Sequence, residues 1–274
     1  MSDGSVVCLG KQGQGLDAVT ADQIAGYNQA AKLAAPKAGK KGKNNKKNLE
    51  ADGKHKEAVQ AYLACVSHVD ACLKQVFDAL ENSKYKDNTI VVLWGDHGWH
   101  LGEKVRYGKT GNWIESARVP LTISVPGVTK GGTYTKGIVS LLDLYPTLAD
   151  LCGLPKNPTN EGKSFKSLIY NPQEKWVDPI ITTMGYRNHA VIGDKYYYIN
   201  NFGKMGVEVL YDMEKDPMQW KNLANNPEYK TVVAEMKGHL PKKDHMPEGL
   251  DEKTTKKEIM KIKKQTEKYD GMNK

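Results

Sequence analysis

The segment 88–98, NTIVVLWGDHG, constrains the fold more than any other stretch of this chain. Its run Ile90–Trp94 is short, unbroken and rich in β-branched residues, the pattern of a strand buried on both faces in a parallel sheet. Gly95 and Gly98 then bracket Asp96 and His97 in a turn at the strand's carboxyl end. In open α/β sheets that edge is where ligands bind. Ahead of the strand, Val59, Leu63, Val66, Val69, Leu73, Val76 and Leu80 recur at steps of three and four, which predicts an amphipathic helix from Glu57 to Leu80. Behind it, VPLTISVPG at 119–127 predicts a second strand. IVSLLDLYPTLADLCGLP leads into a helix starting near Asp143, with Pro146 tolerated in its first turn and Gly153 closing it. Helix, strand, loop, strand, helix is a doubly wound α/β pattern, so a partial, mainly parallel sheet with flanking helices is expected.

After about residue 160 the pattern changes. HAVIGDKYYYIN alternates as a half-solvated strand, VEVLYDMEKDP reads as another, and 226–240 reads as a helix. This predicts a small C-terminal α+β subdomain with antiparallel strands over 161–245, following a catalytic portion over 57–160. Residues 1–56 form an N-terminal segment with a weak helix at 16–35 and a Lys/Gly-rich insertion, and 246–274 form a basic tail. Much of the formal charge of +8 sits in those two tracts. Without interleaved aromatics they read as solvated segments rather than a nucleic-acid surface. No apolar run approaches the roughly 20 residues of a membrane span, and the first residues lack a signal-peptide pattern, so neither membrane nor compartment is indicated. Four cysteines, at 8, 65, 72 and 152, are too scattered for a disulfide framework.

An adjacent carboxylate and imidazole at a strand end are a plausible pair of metal ligands, because a turn can point both inward where a regular strand cannot. The bland alternative for Asp96 and His97 is a turn-stabilising aspartate beside a neutral histidine. Lys109, in YGKTGNW, adds a point cation suited to a tetrahedral oxyanion such as sulfate or phosphate. These three side chains are expected to converge on one face at the sheet's carboxyl edge. Cys65, His68 and Cys72 share one side of the long helix, but three residues on one helix cannot surround an ion, so they read as ordinary half-buried positions.

Several stretches together resemble the type I sulfatases, most closely the bacterial iduronate-2-sulfatase-like branch. They are AYLACVSHVDACLKQVFDAL, DNTIVVLWGDHGWHLGE, GKTGNWIESARVPLTISVPG, SLLDLYPTLADLCGLP, LYDMEKDPMQWKNLANNPEY and GHLPKK, in that order. The resemblance covers most of residues 57–245. It implies an alkaline-phosphatase-like fold, hydrolysis of sulfate esters of sugars of the glycosaminoglycan kind, and a calcium ion held partly by Asp96 and His97. Zinc, as in phosphatase relatives, is the alternative ion, since a histidine is unusual among calcium's oxygen ligands. The resemblance also implies sulfate contact by Lys109 and makes His100 and His189 candidates for contacts to the sugar, against a structural role for each.

The chain departs from the family pattern in four respects. Thr110 stands where many members have a histidine, and His68 where the branch has an aromatic residue. More consequentially, none of the four cysteines lies in the C-x-[P/A]-x-R context that is converted to the formylglycine nucleophile, and the early paired aspartates are missing too. No catalytic nucleophile is therefore assigned, and the other half of the site is expected in a polypeptide region outside this chain. Two competing readings are a phosphoric-ester hydrolase of the same superfamily and a non-catalytic protein that binds sulfated polyanions.

Overall fold

The computed structural model describes residues 6–8, 53–109, 111–201 and 207–244, with positions 257 and 260. The weak helix at 16–35, most of the Lys/Gly-rich insertion, Thr110 and nearly all of the basic tail lie outside the described residues. Strand β1 (Val6–Cys8) precedes the long helix α1 (His55–Glu81), which matches the predicted periodicity. Then come β2 (Val91–Trp94), β3 (His100–Leu101) and β4 (Tyr107–Gly108), the short helix α2 (Ile114–Ala117), β5 (Leu121–Ser124) and β6 (Thr133–Thr135). A 3₁₀ turn at Leu141–Asp143 opens α3 (Leu144–Leu151), and α4 (Lys166–Tyr170) follows. The C-terminal strands are β7 (Ile180–Thr183), β8 (Asn188–Ile192), β9 (Tyr196–Asn201) and β10 (Glu208–Asp212), before α5 (Lys230–Gly238). No described helix is long and apolar enough to cross a membrane.

The α/β class is as expected, but the pairing in the first sheet corrects the expectation of mainly parallel strands. Its order is β2-β5-β1-β6, with β1 parallel to β5 and the other two pairings antiparallel. An unbroken apolar run encodes burial and says nothing of direction. Here the chain returns from β2 to β5 through residues 95–120, where the only α-helical piece among the described residues is the four-residue α2, so no crossover helix carries it back to run parallel. The apolar side of β5, Leu121 and Ile123, packs with Leu144, Phe165, Leu168 and Ile169. Thus α4 belongs to the first core, although it lies beyond position 160, where the subdomain boundary was expected. The start of α3 is fixed by a capping box, in which Leu142 N–H donates to Ser140 Oγ and Ser140 N–H donates to Asp143 Oδ2 at 2.8 Å.

The second sheet, in order β10-β9-β8-β7, is antiparallel throughout. HAVIGDKYYYIN is two strands rather than one: Gly193–Lys195 turn the chain, and Gly193 N–H closes on Tyr196 O at 2.9 Å. The sheet is also covered on both faces rather than half-solvated. Ala190, Tyr197, Ile199, Val209 and Tyr211 pack toward Trp113 and Ile114, while Val191, Tyr198 and Leu210 pack against Leu223 and Met236. Alternate residues thus serve two cores, which is why polar punctuation inside the strands is sparse.

Candidate active site

The turn after β2 is pinned from behind. Gly95 N–H extends the ladder to Pro120 O at 3.1 Å, and Gly98 N–H donates to Ser116 O at 2.9 Å. A Cβ on Gly98 would stand 2.1 Å from Glu115 O and 2.8 Å from Arg118 O, so only glycine permits this approach of two backbones. The approach fixes His97. Its Nδ1 lies 3.0 Å from Gly98 O, and because a carbonyl only accepts, Nδ1 carries the proton and Nε2 presents its lone pair. Nε2 lies 2.9 Å from Lys109 Nζ, which can donate to it, and 3.3 Å from Asp96 Oδ2. Asp96 Oδ1 in turn accepts from His97 N–H at 3.0 Å. The structure therefore brings Asp96, His97 and Lys109 together, at the mouth of a cavity of about 330 Å³. Ile138, Ile180, Ile192 and Met213 also line it, so both sheets contribute to its walls.

This donor set fits part of a metal ion's shell. A carboxylate oxygen and an imidazole nitrogen oriented by a backbone carbonyl are what such a shell requires. Among the described residues no group of three His, Cys, Asp or Glu side chains gathers, so further ligands must come from elsewhere. On α1, Cys72 Sγ lies 3.8 Å from His68 Nε2 on the exposed side of the helix.

The other two candidate histidines, His100 and His189, stand apart from the cavity lining. His100 is fully buried, and neither ring nitrogen has a hydrogen-bond partner among the described residues. Glu115 Oε2 is 4.0 Å from Nδ1, and the Trp113 ring meets the imidazole edge-on. Burial, reinforced by the Arg106 charge, holds the His100 pKa down at about 4, so the ring is neutral. A residue in the interior offers no contact to a sugar; β3 turns it inward, which spacing from Gly98 did not reveal. His189 has both nitrogens engaged, Nε2 donating to Asp244 Oδ1 at 2.6 Å and Nδ1 accepting from Thr183 Oγ1 at 2.9 Å. In this arrangement it ties the segment at 244 to the edge strand β7.

Residues that sequence reasoning did not single out brace the loop that carries Lys109. Tyr197 OH donates to Asn112 O at 2.8 Å, and Gln219 Oε1 accepts from Ile114 N–H at 3.0 Å. Lys104 is almost fully buried, donates to Met218 O at 2.7 Å and sits 4.0 Å above the Trp220 ring. Burial lowers its pKa, with Glu115 and Asp216 opposing. The DPMQW segment quoted above holds Asp216, Met218, Gln219 and Trp220, but no periodicity announces side chains that clamp a distant backbone.

Comparison with known proteins decides the family. Residues 22–154 match the Sulfatase family model, and residues 95–246 match the model described as N-sulphoglucosamine sulphohydrolase, C-terminal. The chain belongs to the sulfatase family. A sulfatase of Formosa agariphila is 43% identical over 190 residues, covering 69% of this chain and 37% of that protein. Iduronate 2-sulfatase of Mus musculus is 27% identical over 244 residues, covering 62% of this chain and 44% of its own length. The fold is shared with the solved structure of BT4656 in complex with its substrate D-glucosamine-2-N,6-O-disulfate, at a TM-score of 0.62 and 23% identity over 91% of this chain and 45% of that one. The chain thus spans less than half the length of these sulfatases. The family generally uses a metal ion.

Proposed function

We propose that this chain is the electrostatic part of a sulfuric-ester hydrolase acting on sulfated sugars of the glycosaminoglycan kind. The observation that carries the reading is the convergence of Asp96 Oδ2, His97 Nε2 and Lys109 Nζ on one point in a chain of the sulfatase family. Asp96 and His97 would hold calcium, with the Gly98 carbonyl fixing the imidazole so that Nε2 faces the ion. When bound, the ion supplies positive charge to the sulfate oxygens. Lys109 offers a second cation to the same oxygens, and such preorganised charge is usually the largest single contribution to catalysis. The substrate class is supported by relatives such as iduronate 2-sulfatase and by the sulfated glucosamine bound to BT4656. None of the four cysteines has the context of a formylglycine precursor, so the nucleophile that splits the reaction into two steps comes from outside these 274 residues.

The reading is tested by calorimetric titration of the chain with calcium and then inorganic sulfate. Binding should be weak, because calcium takes about six to eight oxygen ligands and most would be water here. Asp96→Ala should abolish the calcium signal, and Lys109→Ala should abolish the sulfate signal while leaving calcium binding in place. Sulfate binding indifferent to Lys109 would refute the assignment.

A further inference from the structure

A group of metal-ligating side chains lies outside the site at Asp96 and His97. Cys65, His68 and Cys72 share one side of α1, and the structure sorts them: Cys65 is half-buried, whereas His68 and Cys72 are exposed. Residues four apart on a helix stand one above the other, and Cys72 Sγ lies 3.8 Å from His68 Nε2. A zinc ion makes bonds of about 2.3 Å to thiolate sulfur and about 2.0–2.1 Å to imidazole nitrogen, which at a tetrahedral angle sets the two donors about 3.6 Å apart. The pair already stands close to the span that one ion bridges. The same i, i+4 spacing lets the two histidines of an H-E-x-x-H helix hold zinc from one face.

The surroundings select both the ion and the cysteine. The positions three and four residues from this pair are Ala64, Cys65, Val69, Ala71, Gln75 and Val76, none of them charged. Lys74, the nearest lysine along the helix, is turned to Asp78 at 2.5 Å. Burial raises the Cys65 pKa, which keeps that thiol protonated and out of the pair. Thiolate and imidazole are donors that suit zinc-like ions, whereas a carboxylate suits hard ions such as calcium. The pair on α1 and the turn at Asp96 thus differ in the metals they can take.

We propose that His68 and Cys72 form a bidentate site for a thiophilic divalent cation of the zinc class, separate from the site at Asp96 and His97. His68 ligates through Nε2 as the neutral ring. Cys72 ligates through Sγ as the thiolate, its proton passing to solvent as the metal–sulfur bond forms. Among the described residues no third His, Cys, Asp or Glu side chain completes the group, so water takes the two remaining tetrahedral positions and the ion is exchangeable. Once bound, the ion ties two successive turns of α1 together.

The experiment titrates the full chain with Co2+, a spectroscopic stand-in for zinc, in the presence of excess calcium. The expected result is one ion per chain, with a near-ultraviolet thiolate-to-cobalt charge-transfer band that disappears when zinc displaces the cobalt. Cys72→Ser should remove the band, and Cys72→Ser and His68→Ala should each weaken binding by about tenfold or more, since losing a ligand costs at least what losing an outer-shell partner does. Cys72→His should keep one-to-one zinc binding while losing the band, which separates a lost ligand from a lost fold. Cys65→Ser and Cys152→Ser should leave affinity and band unchanged, and far-ultraviolet circular dichroism checks that every variant keeps its helix. No band in the native chain, a band that survives Cys72→Ser, binding indifferent to His68→Ala, or displacement of the ion by calcium overturns the proposal.

Discussion

In the C-terminal sheet, Ala190, Val191, Tyr197, Tyr198, Ile199 and Leu210 are all at 1% exposure or less, whereas in β2 and α1 no residue is buried at all. Both regions are built from similar apolar runs, so composition does not explain the contrast. The C-terminal strands are covered on one face by Leu223 and Met236 and on the other by Trp113 and Ile114, all from this chain. Among the described residues, the first sheet has such cover only on the side of Leu144 and Phe165. One region is finished by the described residues of this chain; the other is left open by them. The turn at Asp96–His97 sits at the boundary, pressed by α2, while Tyr197 and Gln219 brace residues 112–114 from the finished side.

The largest expected effect is a direct break of this contrast. Leu210→Ala should cost about 2–5 kcal/mol, the usual range for emptying a buried leucine site. Val69→Ala on the exposed stripe of α1 should stay within about 0.5 kcal/mol in the isolated chain. Urea midpoints at constant slope measure both, and equal costs would erase the distinction between the two regions.

Next comes a pH effect centred on His100. Its folded pKa of about 4 lies below the 6.5 of an unfolded histidine. Above 6.5 the ring is neutral in both states and its burial carries no protonation penalty. As pH falls from 6.5 toward 4 the unfolded chain takes up the proton first, so stability drops, by about 3 kcal/mol at full amplitude, and no further below 4. Urea midpoints at pH 7 and pH 5 should therefore differ more in the native chain than in His100→Leu. An identical pH slope in the two would show that the ring is hydrated.

Gly98→Ala should cost about 1–3 kcal/mol, as overpacking does, because the new methyl group meets Glu115 O. Its sharper signature is loss of sulfate binding, since the displaced turn no longer presents His97 Nε2 to Lys109. Gly108→Ala is the control for glycine replacement in general, because no atom lies within 4 Å of its added methyl, although its positive φ brings some strain. The smallest effect belongs to Lys74→Ala, whose exposed i,i+4 pair with Asp78 is worth about 0.5 kcal/mol or less. Measured by the same urea titration, a larger loss would mean that the α1 surface is engaged in the isolated chain.

The contrast also explains what could be read from the sequence. The strand Val91–Trp94, the helix α1 and the turn at Asp96–His97 were legible because periodicity and turn chemistry are local. The convergence of Lys109 on that turn was legible from residue type and the glycines around it. Strand direction in the first sheet was not, because it depends on how residues 95–120 fold back. The hairpin at Gly193–Lys195 was missed because cover by Met236 on the far face replaces the alternation that a half-solvated strand shows. The inward turn of His100 and the clamp of Lys104 on the Met218 carbonyl are tertiary choices with no periodic signal.

The most direct measurement is sulfate release from a sulfated glucosamine ester, by the chain alone and by the chain assembled with a nucleophile-bearing N-terminal portion. The account predicts none from the chain alone. From the assembly it predicts metal-dependent turnover that falls about a hundredfold or more in Lys109→Ala, roughly the loss of one preorganised charge. Metal-dependent release by the isolated chain, surviving replacement of all four cysteines, would contradict it and point to metal-activated water as the nucleophile.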